Sequence, residues 1–280
     1  MSSLAFLNDQ FIPKEKTVLH VQDLSIQRGY GVFDFFKVEN SIPVFFEEHL
    51  DRFYFSAERM RLKIDYSKDE LKKIIYELLK KNSASSTGVR ITLTGGYSED
   101  GFQLSKPNLI ICLRSFSTPT KEQFEKGIKL ITYEHRRQLP EVKSIDYLMA
   151  IWLQPLVRQH EADDILYHQN EIVSECPRSN FFILKDGTIV TPSKNILKGV
   201  MRNKLIEIAK AGYKIEERDI TIEEVKSANE AFITSTTKTI LPVRQVDDYV
   251  FPRLNPLAAK LFHDLNVLQL QQKDASPQLF

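Results

Sequence analysis

The chain has 280 residues, 42% of them hydrophobic, and 38 Lys and Arg against 37 Asp and Glu leave a net charge of +1. That length and apolar content fit one large or two ordinary domains with a buried core, while the balanced charge excludes a global field that would favour nucleic acid or an acidic membrane surface. The cysteines, Cys112 and Cys176, cannot build a disulfide framework and point to a reducing compartment. The N-terminus shows no basic, apolar leader and no segment approaches about 18 uninterrupted apolar residues, so a soluble, cytoplasmic protein without membrane or nucleic-acid partners is expected.

The first hundred or so residues read as strands around two helices. Leu4 to Phe6, the turn-prone Asn8-Asp9 and Gln10 to Pro13 predict an opening hairpin, and Gly31 to Val38 with Ile42 to Phe46 predict a second. Leu50, Phe53, Ala57 and Met60 recur at helical spacing within Glu48 to Arg61, and Ser67 caps a second helix striped by Leu71, Ile74, Ile75, Leu78 and Leu79. Val89 to Thr94 and Leu109 to Leu113 complete this unit as strands, closing a domain over residues 1–115. The Ser/Thr/Pro-rich stretch at 116–123 reads as an interdomain linker.

A larger domain over 124–280 follows. Gly127 to Tyr133 predicts a strand, Asp146 to Glu161 a single helix in spite of Pro155, and Asp164 to Tyr167, Ile172 to Ser174, Asn180 to Lys185 and Thr188 to Thr191 short strands. Val200 to Ala211 predicts a helix capped by Gly212. Two more strands at Glu230 to Ser235 and Ile240 to Val243, a helix from Asn255 to Leu265 and a loose tail from Gln269 to Phe280 complete the chain. Many short strands without regular βαβ alternation argue against a doubly wound sheet.

Two residues carry the chemistry. Lys143, in Pro140-Glu141-Val142-Lys143-Ser144-Ile145-Asp146-Tyr147, offers an amine able to condense with an aldehyde, and Glu175, in Glu175-Cys176-Pro177-Arg178-Ser179-Asn180-Phe181-Phe182, offers a carboxylate able to keep a pyridine nitrogen protonated. Three pieces suit a phosphate. The loop Ile196 to Arg202 enters a helix through Gly199, the run Thr234-Ser235-Thr236-Thr237 ends a strand in hydroxyls, and Arg52 projects from a helix as a bidentate cation.

Taken together with Gly29-Tyr30-Gly31-Val32-Phe33-Asp34, His49-Leu50-Asp51-Arg52 and Ser235 through Val243, these segments resemble the class IV aminotransferases in the same order over about residues 4 to 265. The resemblance implies an α+β chain of fold type IV, with a small N-terminal α/β domain and a larger C-terminal domain built on a β-barrel-like core. It implies pyridoxal 5′-phosphate as cofactor, no metal, and ping-pong transfer of an amino group between an amino acid and a 2-oxo acid. Lys143 would bond the cofactor and act as general base, Glu175 would pair with its ring nitrogen, and Asn180 would belong to the same cofactor set. Arg52, the amides of Val200 and Met201, and Thr236 would hold the phosphate, Leu197 would pack on the ring and Tyr147 would reach its phenolic oxygen. Met201 departs from the family's usual threonine, and Cys176-Pro177 is atypical after the glutamate; Cys176 reads as a packed residue, not a nucleophile.

Substrate choice is less defined. Phe33 and Gly95 stand where familiar D-amino acid transaminases carry the tyrosine and arginine that grip the α-carboxylate, so Arg28, Arg90 and Arg178 are the candidate replacements. This arginine pattern resembles a less typical branch of D-amino acid transaminases. Branched-chain L-amino acid transaminase, aminodeoxychorismate lyase and a non-catalytic binding module are the alternatives. The resemblance also implies a homodimer in which Arg28 of one subunit serves the other's site.

Overall fold

The computed structural model describes residues 3–252 and 256–275. The chain forms two compact units, Met1–Phe116 with Val142–Asp146 and Gln269–Phe280, and Ser117–Glu141 with Tyr147–Leu268. The change of unit thus falls at Phe116, but five residues around Lys143 return to the first unit.

In the first unit, β1 (Leu4–Leu7) and β2 (Gln10–Pro13) form the expected hairpin, turned at Asn8 with a φ of 56°. A short helix, α1 (Leu24–Arg28), capped by Asp23 and closed by the left-handed Gly29, follows where no element was expected. Next come β3 (Gly31–Glu39), β4 (Ile42–Pro43), α2 (Phe46–Arg59), α3 (Lys68–Lys81), β5 (Thr87–Thr94) and β6 (Leu109–Arg114). The six strands make one antiparallel sheet in the order β2-β1-β6-β5-β3-β4. Strand β4 is shorter than the Ile42 to Phe46 run because the buried Phe45 adopts a left-handed φ of 52° and turns the chain into α2. Ser67 and Glu70 make a reciprocal capping box at the start of α3, worth about 1 kcal/mol. Phe36, Phe53, Leu50, Leu71, Ile75 and Leu78 are fully buried between sheet and helices, each contributing roughly 1.5–3 kcal/mol of burial. Along the free edge of the first half of β3 lies the segment around Lys143: Phe33 N donates to Lys143 O at 2.9 Å and Ile145 N to Gly31 O at 3.0 Å.

The second unit opens with α4 (Lys121–Lys126), so the expected linker at 116–123 is helical from Lys121. Its Thr120–Gln123 capping box is a sequence signature that the surrounding Ser/Thr/Pro composition obscured. Strand β7 (Ile128–Glu134) precedes two short helices, α5 (Leu148–Trp152) and α6 (Gln154–Gln159), in place of the single helix expected over Asp146 to Glu161. Pro155 has no N–H for the preceding turn and its ring crowds it, so the chain breaks at Leu153 and Pro155 is taken into the first turn of α6. Then come β8 (Asp164–Gln169), β9 (Ile172–Val173), β10 (Glu175–Cys176), β11 (Ser179–Lys185) and β12 (Thr188–Thr191). Helix α7 (Val200–Ala209) ends two residues early at a Lys210 cap; Gly212 takes no positive φ, and Tyr213 N closes the turn on Ala209 O. The remaining elements are β13 (Lys214–Glu217), α8 (Ile222–Lys226), β14 (Glu230–Ser235), β15 (Thr239–Val246), β16 (Tyr249–Val250) and α9 (Pro256–Ala275).

The larger sheet is mixed and curls into a half-barrel, in the order β13-β12-β11-β14-β15-β7-β8-β9, with β10 on β11 and β16 on β15. Helix α9 overturns the expected loose tail. Leu261, Leu265 and Gln269 form one buried stripe four residues apart, and Gln269 Oε1 accepts from the buried Lys37 Nζ at 3.2 Å. A polar residue in that stripe hid the continuation from hydrophobic patterning. The expected helix start at Asn255 and the tail residues 276–280 lie outside the described residues.

Candidate active site

In the first unit, helix α2 turns its apolar stripe of Leu50, Phe53 and Ala57 into the core, and His49, Arg52 and Ser56, spaced three and four apart, make an adjacent polar stripe. Ser56 Oγ accepts from Lys143 N at 3.2 Å, which pins the lysine's backbone beside β3. The side chain of Lys143 then rises over Phe33, with Nζ 4.7 Å from the ring centroid. Arg90, on the neighbouring β5, stacks its guanidinium carbon 3.9 Å from the centroid of that same ring and donates from Nε to Thr92 Oγ1 at 3.3 Å. A ring face attracts cations at about 0.5–2 kcal/mol, so Phe33 serves as a ring contact for both an amine and a guanidinium.

Arg52 is nearly buried, and its bidentate edge is spent within the protein. Nε donates to Asp34 Oδ2 at 2.8 Å and Nη2 to Asp34 Oδ1 at 2.9 Å. The fork expected to grip phosphate therefore grips Asp34, and Nη1 is the terminal nitrogen outside that pair. Arg28 is exposed at the end of α1 and donates to Gln27 O at 3.0 Å.

In the second unit, β10 and β11 form a hairpin that sets Glu175 directly opposite Asn180. Facing side chains in such a pair lie within reach of one another, and Asn180 Nδ2 donates to Glu175 Oε2 at 3.1 Å. The same Nδ2 donates to Leu197 O at 2.7 Å, and Leu197 N returns a bond to Glu175 Oε2 at 3.0 Å. Arg137 Nη1 reaches the other oxygen, Oε1, at 3.3 Å. Glu175 is 4% exposed, and all three neighbours are donors, the arrangement that satisfies a buried carboxylate as an anion.

Clamping Leu197 fixes the loop that leads into α7. Gly199 is the N-cap of that helix with no side-chain cap, and a Cβ there would stand 2.2 Å from Asn180 Oδ1. A side chain at Gly199 would require Asn180 to move off Glu175 and Leu197. The first turn of α7, with Val200 and the buried Met201, thus presents uncapped amides, the polarity an anion favours. Thr236 lies partly buried in the turn that joins β14 to β15, where Ser235 Oγ accepts from Lys238 N at 3.3 Å. Tyr147 is partly buried at the start of α5, and Arg178 is exposed at the tip of the β10–β11 hairpin. Cys176 is buried in the core of this unit, and burial pushes its thiol well up, an inert rather than nucleophilic setting.

Within the first unit the structure therefore brings together Lys143 and Arg90, and within the second Glu175, Asn180 and Leu197 beside the helix entry at Val200. It leaves Arg28 and Arg178 on the surface. Sequence reasoning missed Asp34 and His49 as partners of Arg52, Phe33 as a seat for two cations, and Arg137 as the partner of Glu175. The Arg136-Arg137 pair shortly before Lys143 was the one local signal for the last.

An α+β chain with this curled mixed sheet, a lysine in a segment bridged to β3 of one unit and a clamped glutamate in the other has the architecture of the fold type IV aminotransferases. The family model for amino-transferase class IV matches residues 31–246, and the chain belongs to that family and is an aminotransferase. It is 31% identical over 269 residues to a D-alanine aminotransferase of Listeria monocytogenes serotype 4b, an alignment covering 91% of this chain and 92% of that one. Among solved structures, the Escherichia coli branched-chain amino acid aminotransferase superposes with a TM-score of 0.88 at 25% identity, covering 96% of this chain and 95% of that one. The branched-chain aminotransferase of the archaeon Thermoproteus uzoniensis shares the fold with a TM-score of 0.87 at 24% identity, covering 98% of this chain and 96% of that one. Among the described residues no helix is long and apolar enough to cross a membrane.

Proposed function

We propose that this aminotransferase uses pyridoxal 5′-phosphate to move an amino group between D-amino acids and 2-oxo acids by a ping-pong mechanism. The observation that carries the substrate class is the shared ring of Phe33. A guanidinium at 3.9 Å and an amine at 4.7 Å from one centroid supply, around one ring, a cation for an α-carboxylate and a base for the adjacent carbon. The D series is favoured by the likeness to the Listeria protein over nine-tenths of the chain.

The residues fit the cofactor. Gly199 keeps the entry of α7 open where a Cβ would strike Asn180, and Glu175 is held as a buried carboxylate by Asn180, Leu197 and Arg137. Arg52, the amides of Val200 and Met201, and Thr236 would hold the phosphate, Glu175 would pair with the ring nitrogen, Leu197 would pack on the ring and Tyr147 would meet the phenolic oxygen. When bound, the cofactor supplies an aldehyde that condenses with an amine and a ring that withdraws electrons. Lys143 Nζ is the amine that would hold that aldehyde, and the same nitrogen is the base that would take the proton from the substrate's Cα. Arg90 orients the α-carboxylate, with Arg28 and Arg178 as further cations at the substrate's carboxyl groups.

The test is the half-reaction absorbance change of the purified protein with D-alanine, D-glutamate, L-leucine and aminodeoxychorismate in parallel. Conversion by the D-amino acids is expected, and Arg90→Ala should raise KM about tenfold or more, the worth of a charge-assisted hydrogen bond, with cofactor content unchanged. Conversion by L-leucine alone would make it a branched-chain enzyme, pyruvate from aminodeoxychorismate a lyase, and no response to either D-amino acid would remove the D-series reading.

We also assign a homodimer in which Arg28 serves the partner's site. Leu148, Ile151 and Trp152 on α5 are 72%, 70% and 63% exposed, an apolar face of the kind that a second copy covers. Light scattering should give twice the chain's 32.5 kDa; a single-chain mass would remove this assignment. A cytoplasmic location is supported by the two unpaired cysteines.

A further inference from the structure

We propose that Asp34, assisted by His49, is the positioning residue that fixes Arg52 in advance for the cofactor's phosphate, an inference that rests on the proposed role of Arg52. Asp34 is fully buried on β3, and donors surround it. Oδ1 accepts from Phe35 N at 2.7 Å, His49 Nδ1 at 2.7 Å and Arg52 Nη2 at 2.9 Å, while Oδ2 accepts from Arg52 Nε at 2.8 Å. Burial alone would push this carboxyl up, but the charges and hydrogen bonds of Arg52 and His49 outweigh it and hold the group well below the usual carboxylate range. Burial pushes the His49 imidazole down against the pull of Asp34, so His49 is neutral near pH 7. A carboxylate can only accept, which assigns the proton to Nδ1; the 3.2 Å approach of Arg52 Nη2 to that nitrogen is then a packing contact.

The geometry separates two jobs on one guanidinium. The Nε and Nη2 edge is committed to Asp34, so the fork is locked in plane and direction by a strand residue rather than by its own helix. Nη1 is left as the edge for an incoming anion. Arginine loses rotamer freedom when it grips a ligand, and an arginine already ordered loses less on binding. The desolvation cost of burying Asp34 is offset by its Coulomb attraction to Arg52, which also leaves the guanidinium compensated before the anion arrives.

A structural tie and a positioning device differ in what they do to two ligands. The affinities of the apoprotein for pyridoxal 5′-phosphate and for pyridoxal, which lacks the phosphate, should be measured by fluorescence titration on wild type, Asp34→Asn and His49→Gln. Asp34→Asn keeps the shape but turns an acceptor into a donor facing Arg52. It is expected to weaken pyridoxal 5′-phosphate binding about tenfold to a hundredfold, the range for loss of an orienting partner, and to leave pyridoxal binding unchanged. His49→Gln, which keeps the Asp34–Arg52 fork, should show a smaller loss confined to the phosphorylated ligand and serves if Asp34→Asn does not fold. Equal losses for both ligands, or no loss for either, would overturn the inference. A wild type that binds the two ligands equally would instead remove the phosphate role of Arg52, and the inference with it.

Discussion

Lys143→Ala is expected to reduce transamination to background, a loss of at least about 10⁴-fold in kcat/KM, because under the proposed function one nitrogen would both hold the cofactor and move the Cα proton. Positioned proton transfer alone is worth about 10²–10⁴-fold, and covalent attachment adds to it. The fold should survive. Lys143 contributes its backbone to the edge of β3 through Phe33 N and its own N to Ser56, and alanine keeps both bonds. The check is a coupled assay with D-alanine and 2-oxoglutarate beside an absorbance spectrum of the variant supplied with pyridoxal 5′-phosphate. Near-wild-type turnover, or an absorbance band identical to that of the amine-bound cofactor, would exclude Lys143 from this role. Phe33 adds a second expectation to the same variant: Arg90 loses its neighbouring cation but not its ring, so amino acid binding should persist without conversion.

Glu175→Gln should lower kcat by roughly 10²–10³, the size of removing one preorganised electrostatic partner, while leaving intact the cofactor attachment proposed for Lys143. The glutamate faces three donors, and glutamine can satisfy only part of that set. With its carbonyl oxygen toward Asn180 Nδ2 and Leu197 N, its amide nitrogen must face the Arg137 cation. The exchange removes the charge that faces the partly buried Arg137 guanidinium at 3.3 Å, and a stability loss of about 2 kcal/mol is expected, the worth of a hydrogen bond to a charged group. Rapid-mixing absorbance with D-alanine checks the chemistry and a thermal melt checks the stability. A variant with undiminished kcat would show that Glu175 is a purely structural acceptor for the Leu197 loop.

How much could be read without coordinates depended on how far apart the interacting residues stand in the chain. Strands β3, β5, β6 and β11 are alternating or continuous apolar runs, and α3 announces itself by the capping box of Ser67 and Glu70, so local composition placed them. Helix α4 carries the same kind of cap but was hidden by its linker-like neighbours, and α5 and α6 were merged because the apolar spacing continues across Pro155. Helix α9 was cut short at Leu265 because the next buried position is Gln269, whose burial depends on Lys37, 232 positions away.

The site divides in the same way. Glu175, Asn180, Leu197 and Gly199 lie within 24 positions of one another and their order alone marks them as a unit; the structure adds that Leu197 is held from both sides and that a Cβ at Gly199 would displace the Asn180 side chain. Arg52 was legible as a basic residue on a helix, but which edge it presents was not, because that is decided by Asp34 arriving from β3. Phe33 was legible as the absence of a tyrosine and became a seat for Arg90 and Lys143 only once β5 paired with β3 and the Lys143 segment joined the open edge. By itself the sequence determined the inventory: the reactive amine, the carboxylate, the glycine entry to a helix and the periodicities that make strands and helices, because these are properties of single residues and their near neighbours. Only the tertiary structure decided the pairings, Arg52 with Asp34, Arg137 with Glu175 and two cations with one ring. Hydrogen bonds and cation–ring contacts act over a few ångströms of space and take no account of distance along the chain.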